Sequence, residues 1–408
     1  MARMAQRSDW HIVEAIYDDC PAHFAFAFAS GGKEERPAFE QAWQMAGGRG
    51  LTVDAALFGA LGEAVECVSV WSRGQDDPLV VGRPADFGIS APNPAQIMNL
   101  SPRQVRRLAA ARPIGSATGD PDASDAFGPV DRFVQYRDKR TAETRWIPSL
   151  CGLVGEESWY GVAERLTSTN GTAVATSQPL ASHKATFELI ERDAVSIWWY
   201  NRLERPRLPA AFVRNAIGTS LWAWLCERDR RFHVLDLTSD LGIPIAGALS
   251  CDANGRMIAD GYAAGRTGEE AVLGAVLEML QAEISLRFME EREERDGIAS
   301  PFLKETRSMT FETDPFLVGT APDGAFDIIH EIDAERALAR LYAKGIEIYV
   351  ADITRPDTGV PTARAVSPQL RDWRPRFGPG RLYDVPVAMG WRDKAHTEDT
   401  LNPRAFLS

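Results

Sequence analysis

We predict a mixed α/β fold for this chain, in which strands and helices do not alternate regularly. Residues 23–29 alternate phenylalanine and alanine, which is typical of a strand with one buried face. Residues 181–200 repeat apolar side chains at helical spacing, without glycine or proline. The sequence contains neither a Walker motif nor a GxGxxG motif, so it favours neither a P-loop nor a Rossmann fold.

The other elements follow from the same criteria, taken in order along the chain. In the first half we predict helices over 34–46, 55–68 and 102–112, a glycine-rich turn at 47–50, a loop over 113–130 and a hairpin over 131–146. Backbone amides in such a turn before a helix can hold a phosphate. In the second half we predict helices over 209–227, 271–292 and 333–344, and strands over 232–237, 243–250, 257–263, 346–352 and 360–366.

The last ~40 residues are rich in proline and arginine and show little regular periodicity. We predict that they cover the surface or reach toward a site. The length of 408 residues is ample for a hydrophobic core. We place the whole chain, 1–408, in a single domain with subdomains at approximately 1–150, 151–308 and 309–408.

The composition argues against several functional classes. A net charge of −12 and an isoelectric point near 5.2 argue against general nucleic-acid binding, which requires a basic surface. No run of apolar residues approaches the length of a membrane span, and the N-terminus lacks the apolar core of a signal peptide. The five cysteines show no paired spacing, which argues against a zinc site and favours free thiols in a reducing cytoplasm.

Three predicted helices each carry a pair of carboxylate or amide side chains three residues apart. At this spacing both side chains point to the same side of a helix. Their neighbours are mostly small and apolar, and a buried carboxylate requires a cation or a proton. The pairs are Glu63 and Glu66, Glu188 and Glu191, and Glu278 and Gln281.

Two interpretations of these pairs remain open. Any single pair is more simply explained as partly exposed glutamates on separate helices. The three together favour one carboxylate-rich pocket for Mg²⁺ and a nucleotide, because Mg²⁺ takes oxygen ligands and usually binds with substrate phosphates. In this hypothesis the five glutamates, 63, 66, 188, 191 and 278, hold two or more Mg²⁺ ions that bridge the phosphates of ATP.

Several cations and amides are candidate ligands for the nucleotide in the same pocket. Asn170 and Gln281 are predicted to donate to the phosphates or the nucleotide, and Arg192 has the alternative of a structural ion pair with Asp193. The candidate phosphate-binding cations are Arg49, Lys184 and Arg192, together with His183.

These residues resemble the YcaO-domain family, ATP-dependent enzymes that modify peptide backbones, and the resemblance covers most of the chain. The family's first motif is similar to residues 47–52 with Glu63 and Glu66, the second to 170–173 with 188–194, and the third to 278–281. Residues 377–387 and 401–403 resemble the branch that forms azolines in ribosomal peptides. The resemblance implies a YcaO-like fold around a central non-P-loop ATP site and an enzyme, with Glu188 and Glu191 in catalytic positions.

The resemblance also implies a reaction. A Cys, Ser or Thr side chain of a precursor peptide attacks the preceding amide, the oxyanion takes the γ-phosphoryl group of ATP, and loss of phosphate leaves a thiazoline or oxazoline. Such chemistry depends mainly on positioning and charge stabilisation. The partners implied are the ribosomal precursor peptide, an E1-like leader-binding protein, an FMN-dependent azoline dehydrogenase, and a second copy of the chain as a homodimer within a larger complex. No region before Asp9 has the length of a leader-binding module, so we expect a partner to present the substrate.

Three positions depart from the family pattern. Ala60 and Cys67 replace the serine and arginine of the first motif, and Gly274 replaces the arginine of the third. We consider that Arg266, Lys184 and Arg192 substitute for these cations, that a partner completes the site, or that the chain is a catalytically degenerate scaffold subunit. A third alternative is thioamide formation with external sulfide by the same phosphorylation.

Overall fold

The computed structural model describes residues 10–29, 45–73, 77–87, 93–111, 126–127, 130–297, 300–322 and 331–406. The predicted helix over 34–46 and the predicted loop over 113–130 lie almost entirely outside these ranges. The predicted mixed α/β class is confirmed. The division of the chain into subdomains stays a prediction.

The strands of the described ranges form three antiparallel sheets. One has the order β1-β2-β3 and a second the order β8-β9-β10. The largest has the order β4-β5-β11-β12-β7, with β6 paired to β5. The strands are β1 Trp10–Ala15, β2 His23–Ala29, β3 Ala46–Gly50, β4 Leu79–Val81, β5 Arg132–Asp138, β6 Thr144–Pro148, β7 Thr172–Val174, β8 Arg231–Asp236, β9 Ile245–Cys251, β10 Ala259–Ala264, β11 Tyr349–Asp352 and β12 Thr362–Val366.

Helices cover these sheets, and three of them carry the paired side chains. None of the described helices has the length and apolarity that crossing a bilayer requires. The helices are α1 Val53–Val70, α2 Pro94–Ile97, α3 Pro102–Ala110, α4 Ser149–Gly152, α5 Gln178–Asn201, α6 Ala210–Ile217, α7 Thr219–Glu227, α8 Gly268–Asp296, α9 Pro301–Ser308, α10 Ala334–Ala343 and α11 Arg381–Ala388.

Local sequence explains where the site helices begin and end. The hydroxyl of Thr52 accepts the Ala55 amide at the start of α1, and that of Thr267 accepts the Glu270 amide at the start of α8. These are ordinary N-caps, which satisfy amides that have no intrahelical partner. Helix α8 ends at Gly297 with a φ of 67°, a conformation that glycine adopts readily.

Two glycines, one in β3 and one in β10, allow these strands to lie unusually close to helices α1 and α8. A Cβ on Gly48 would lie 2.0 Å from the Ala56 carbonyl oxygen in α1, and a Cβ on Gly261 would lie 2.2 Å from the Met279 amide in α8. Any larger residue would therefore force the backbones apart. These contacts place strands β3 and β10 directly beside the helix turns that carry the predicted metal ligands.

Two sequence-based expectations are wrong, and two helices were not predicted. Residues 47–50 belong to strand β3 rather than to a turn. Their glycines are needed because a side chain at Gly48 or Gly50 would collide with α1. The helix predicted over 209–227 is two helices separated at Gly218, whose φ is 80°. Helices α9 and α11 were not expected; α9 has proline at its N-terminal turn, where it is tolerated, and α11 contains Pro386.

Candidate active site

The paired glutamates of α1 are each anchored by a backbone amide of a neighbouring strand. Glu63 Oε2 accepts the Gly47 amide of β3 at 2.9 Å. Glu66 Oε1 accepts the Val174 amide of β7, also at 2.9 Å. One carboxylate oxygen of each side chain is thus held by the fold, and the other is available to a ligand.

The pair on α5 is held by Arg192 and by strand β10. Arg192 Nη1 lies 2.6 Å from Glu191 Oε1, and Nη2 lies 3.5 Å from Glu188 Oε1. Glu191 Oε2 accepts the Ala264 amide at 3.0 Å. The alternative pairing of Arg192 with Asp193 is wrong, because Asp193 is bound instead by Arg381 at 2.6 Å.

The pair on α8 completes the arrangement and is bridged by Arg49. Glu278 Oε2 accepts the Tyr262 amide at 2.6 Å, while Oε1 lies 3.3 Å from Arg49 Nη2. Arg49 Nη1 also donates to Gln281 Oε1 at 3.3 Å. Because its oxygen is engaged by Arg49, the Gln281 amide group retains its NH₂ as a donor for a ligand.

The pKa shifts of these carboxyl groups show that the three helices share one site. Burial, opposed by Arg49 and aided by Glu278 and Glu188, raises the pKa of Glu63 to about 7. Burial likewise raises the pKa of Glu191 to about 7, with Glu278 and Glu188 contributing. The pKa of Glu66 is raised well above its ordinary value by burial and then by Glu188. Carboxylates from α1, α5 and α8 therefore repel one another across a common space.

This excess of negative charge suits Mg²⁺ bound together with phosphates. In the described ranges, no three His, Cys, Asp or Glu side chains are grouped closely enough to hold a metal ion alone. Mg²⁺ usually binds one or two carboxylates and completes its octahedral shell with water and substrate phosphates. The five glutamates are distributed over three helices, which fits a site where a few carboxylates and the substrate phosphates bind the ion together.

The other predicted site residues take different positions. Asn170 is buried, its Nδ2 donates to Asp372 Oδ1 at 2.7 Å, and its Oδ1 has no partner among the residues that the structure describes. Lys184 is exposed one turn before Glu188 and lies near enough to lower the pKa of Glu66. His183 faces Lys139 and Glu335 instead of the carboxylates, as the influences on its pKa show.

The departures from the family pattern are accommodated within the site. Gly274 packs against β10, where an added Cβ would lie 2.7 Å from the Ala263 Cβ. Burial, followed by Glu63 and Glu66, raises the pKa of the Cys67 thiol, which places this side chain beside both carboxylates. Arg266 does not substitute for the missing cations, because it is exposed and pairs with Glu270 at 2.6 Å and with Glu331 at 3.2 Å.

Sequence reasoning missed Trp373. The guanidinium carbon of Arg192 lies 3.6 Å from the centroid of its ring, so the indole covers the face of the cation between the two glutamates. Its position in an arginine- and proline-rich segment offered no periodicity from which to place it.

Comparison with known proteins agrees with this geometry. Residues 47–371 match the family described as YcaO cyclodehydratase, ATP- and Mg²⁺-binding. The chain belongs to the YcaO family. No curated protein sequence matches it significantly.

Solved structures share the fold of this YcaO protein. A heterocyclase in complex with substrate and cofactor is 25% identical, with a TM-score of 0.82 over 97% of this chain and 54% of the other. The heterocyclase TruD is 26% identical, with a TM-score of 0.69 over 88% and 51%. YcaO from Methanopyrus kandleri, bound with AMPPCP and Mg²⁺, is 20% identical and has a TM-score of 0.60 over 89% and 87%. The chain spans about half the length of the two heterocyclases.

Proposed function

We propose that this YcaO protein is an ATP-dependent cyclodehydratase subunit that forms thiazoline or oxazoline rings from Cys, Ser or Thr in a ribosomal precursor peptide. The observation that carries the proposal is the convergence of glutamates from α1, α5 and α8, with Arg49 and Arg192 as the cations between them. The similarity to two heterocyclases supports the azoline branch over thioamide formation.

In this proposal the chain's own residues bind and orient the nucleotide. Glu63, Glu66, Glu188, Glu191 and Glu278 hold Mg²⁺, which when bound neutralises phosphate charge and favours phosphoryl transfer. Arg49, Asn170, Lys184, Arg192 and Gln281 contact ATP.

The amides of β3, β7 and β10 keep the carboxylates in place before the nucleotide arrives. Such preorganisation lowers the cost of binding a highly charged ligand. In the proposed role, Glu188 and Glu191 would hold Mg²⁺ and orient Arg192, whose guanidinium would contact the γ-phosphoryl group that the peptide oxyanion attacks.

The proposal is tested by incubating the purified chain with Mg·ATP, a Cys- or Ser-containing precursor peptide and its partner protein. Peptide mass spectrometry should show loss of one water per ring, with stoichiometric phosphate release. Glu188→Gln and Glu191→Gln should abolish both, because the amide cannot bind Mg²⁺ as a carboxylate does. Glu335→Gln, an exposed helical glutamate outside the site, is the matched control and should leave both unchanged.

The second candidate is a scaffold subunit without turnover, which is favoured by Ala60, Cys67 and Gly274 in place of the family's polar residues. It predicts no phosphate release under any of these conditions and no effect of Glu188→Gln on assembly with a partner. Phosphate release that depends on the precursor peptide would eliminate it.

The proposed partners are an E1-like leader-binding protein, an FMN-dependent azoline dehydrogenase and a second copy of the chain. The family resemblance supports them, and co-purification with each neighbouring gene product tests them. A cytoplasmic location is supported by the five cysteines, all of which are free thiols.

A further inference from the structure

A cavity lined in part by Arg192 adjoins the carboxylate centre. Its volume is about 70 Å³, where a single water molecule needs roughly 10–15 Å³, so it has room for a group of about five heavy atoms. We call it the arginine pocket and define it by five residues of its lining: Ser168, Asn170, Arg364, Arg371 and Arg376.

Neutral acceptors hold the three guanidinium groups of this pocket. Arg364 Nη1 donates to the backbone oxygen of Asn170 and, at 2.9 Å, to Thr172 Oγ1. Arg371 Nη2 donates to the Pro379 carbonyl, and Arg376 Nη2 donates to a carbonyl in the segment before Asn170. Within the described part of the chain, none of the three arginines forms a salt bridge, so their charges are only partly compensated, by more distant carboxylates such as Glu188 for Arg364 and Asp193 for Arg371.

The acidic group of the lining is already engaged. Asp372 Oδ1 accepts Asn170 Nδ2 at 2.7 Å and the Arg374 amide at 2.9 Å. The lining thus sets a single carboxylate against Arg364, Arg371 and Arg376, which gives it a net positive charge. Arg192 also lines the cavity, but its charge is already paired with Glu188 and Glu191.

Two buried donors of Arg371 have no acceptor among the described residues. Arg371 is 2% exposed, and within those ranges neither its Nε nor its Nη1 has a partner. Arg364 is 4% exposed, and its guanidinium interacts with the Tyr136 hydroxyl. Buried N–H groups are almost always hydrogen-bonded, so such donors indicate a missing acceptor. Burial also lowers the pKa of Arg371 to about 10, as expected where charge is incompletely compensated.

The pocket communicates with the carboxylate centre through two cations. Arg364 lies close enough to Glu188 to lower its pKa. Arg192 contacts the glutamates through its Nη atoms and also lines the pocket, and its Nε has no partner among the described residues.

We propose that the arginine pocket binds inorganic phosphate. Guanidinium groups match tetrahedral oxyanions by charge and by paired donors, and phosphate has five heavy atoms, which suits the volume. The natural occupant would be the phosphate that is released when the ring forms, and in this one respect the inference rests on the proposed function. That phosphate would pass from the carboxylate centre to the pocket along Arg192.

The experiment titrates inorganic phosphate into the purified chain without nucleotide or peptide and follows binding by ³¹P NMR. We expect saturable binding that Arg371→Gln weakens at least tenfold. Arg205→Gln removes an equally buried arginine that does not line the pocket, and it should leave phosphate binding unchanged. Absence of saturable binding overturns the proposal, as does loss of binding in Arg49→Gln with full binding in Arg371→Gln.

A second variant decides the matter if Arg371→Gln does not fold. Ser168 is half-buried in the lining, and Ser168→Phe fills the pocket without removing a charge. It should abolish phosphate binding, and unchanged binding contradicts the pocket. The outcome is separate from the enzymatic proposal: phosphate binding without peptide dehydration refutes only the enzyme, and dehydration with unaltered phosphate binding in both variants refutes only the pocket.

Discussion

The guanidinium carbon of Arg192 lies 3.6 Å from the centroid of the Trp373 ring. On its other side the Trp373 ring stacks against Phe406, with ring centroids 5.5 Å apart. The last described residue of the C-terminal tail is therefore linked through two aromatic rings to the cation between Glu188 and Glu191. This segment of the tail lies beside Arg192, and its reaching toward an active site stays a prediction.

Trp373→Leu should weaken Mg·ATP binding about tenfold. A cation–π contact at a desolvated site contributes about 1–2 kcal/mol, and without it Arg192 loses its fixed orientation between the two carboxylates. Titration calorimetry with a non-hydrolysable ATP analogue measures the effect. The control is Trp391→Leu, which removes a similar contact to Arg205, at 3.9 Å, outside the site. Equal losses in the two variants would contradict a specific role for Trp373.

Arg49→Met should lower the affinity for Mg·ATP by roughly 10- to 100-fold. Arg49 is the cation between Glu278 and Gln281, and one hydrogen bond to a charged group contributes about 1.5–3 kcal/mol. Arg266→Met serves as the control, since Arg266 is exposed and pairs only with Glu270 and Glu331 among the contacts described. If Arg266→Met proves the more damaging, the assignment of the compensating cation is incorrect.

Mg·ATP binding should release protons near pH 7. Glu63 and Glu191 have pKa values of about 7, so a substantial fraction is protonated there and must ionise to bind Mg²⁺. Calorimetry in buffers of different ionisation enthalpy counts the protons, and the release should disappear above about pH 9, two units beyond both pKa values. Constant proton release up to that pH would argue against these carboxyls as its source.

The same groups should make the metal-free protein less stable as pH rises. Their folded pKa values, about 7, exceed the ordinary 4.5, so between these values the folded state retains protons that the unfolded chain has lost. Stability then falls with increasing pH across that window. Thermal unfolding in a chelator between pH 5 and pH 8 measures this trend, and replacing both carboxyls by glutamine should reduce its slope.

Gly48→Ala should destabilise the fold by at least 1–3 kcal/mol, the usual cost of overpacking, because backbone atoms of α1 occupy the space of its Cβ. Chemical denaturation measures the loss. Gly62→Ala, in α1 itself, is the matched control: its Cβ would meet only a Val174 methyl, at 3.1 Å, and alanine favours the helix. An unchanged midpoint for Gly48→Ala would show that the strand–helix approach is not tight.

The amino-acid sequence alone placed most regular elements close to where they lie. The glutamate pairs could be predicted because helical periodicity is local: a spacing of three puts Glu63 and Glu66, or Glu188 and Glu191, on one side of a helix in any fold. The errors at 47–50 and at Gly218 arose where glycine has a tertiary or conformational role that local patterns cannot distinguish from a turn or a helix interior.

What the sequence determined by itself was therefore the chemistry available: five glutamates on three helices, the cations beside them and a resemblance to one family. Only the tertiary structure decided which groups meet. Arg49 rather than Arg266 bridges to α8, Trp373 covers Arg192, and Arg364 and Arg371 border a common cavity. These contacts join residues many positions apart, so they depend on how closely the elements that carry them approach one another, as β3 approaches α1 at Gly48. That distance is set by packing between elements, for which a single sequence contains no periodic pattern.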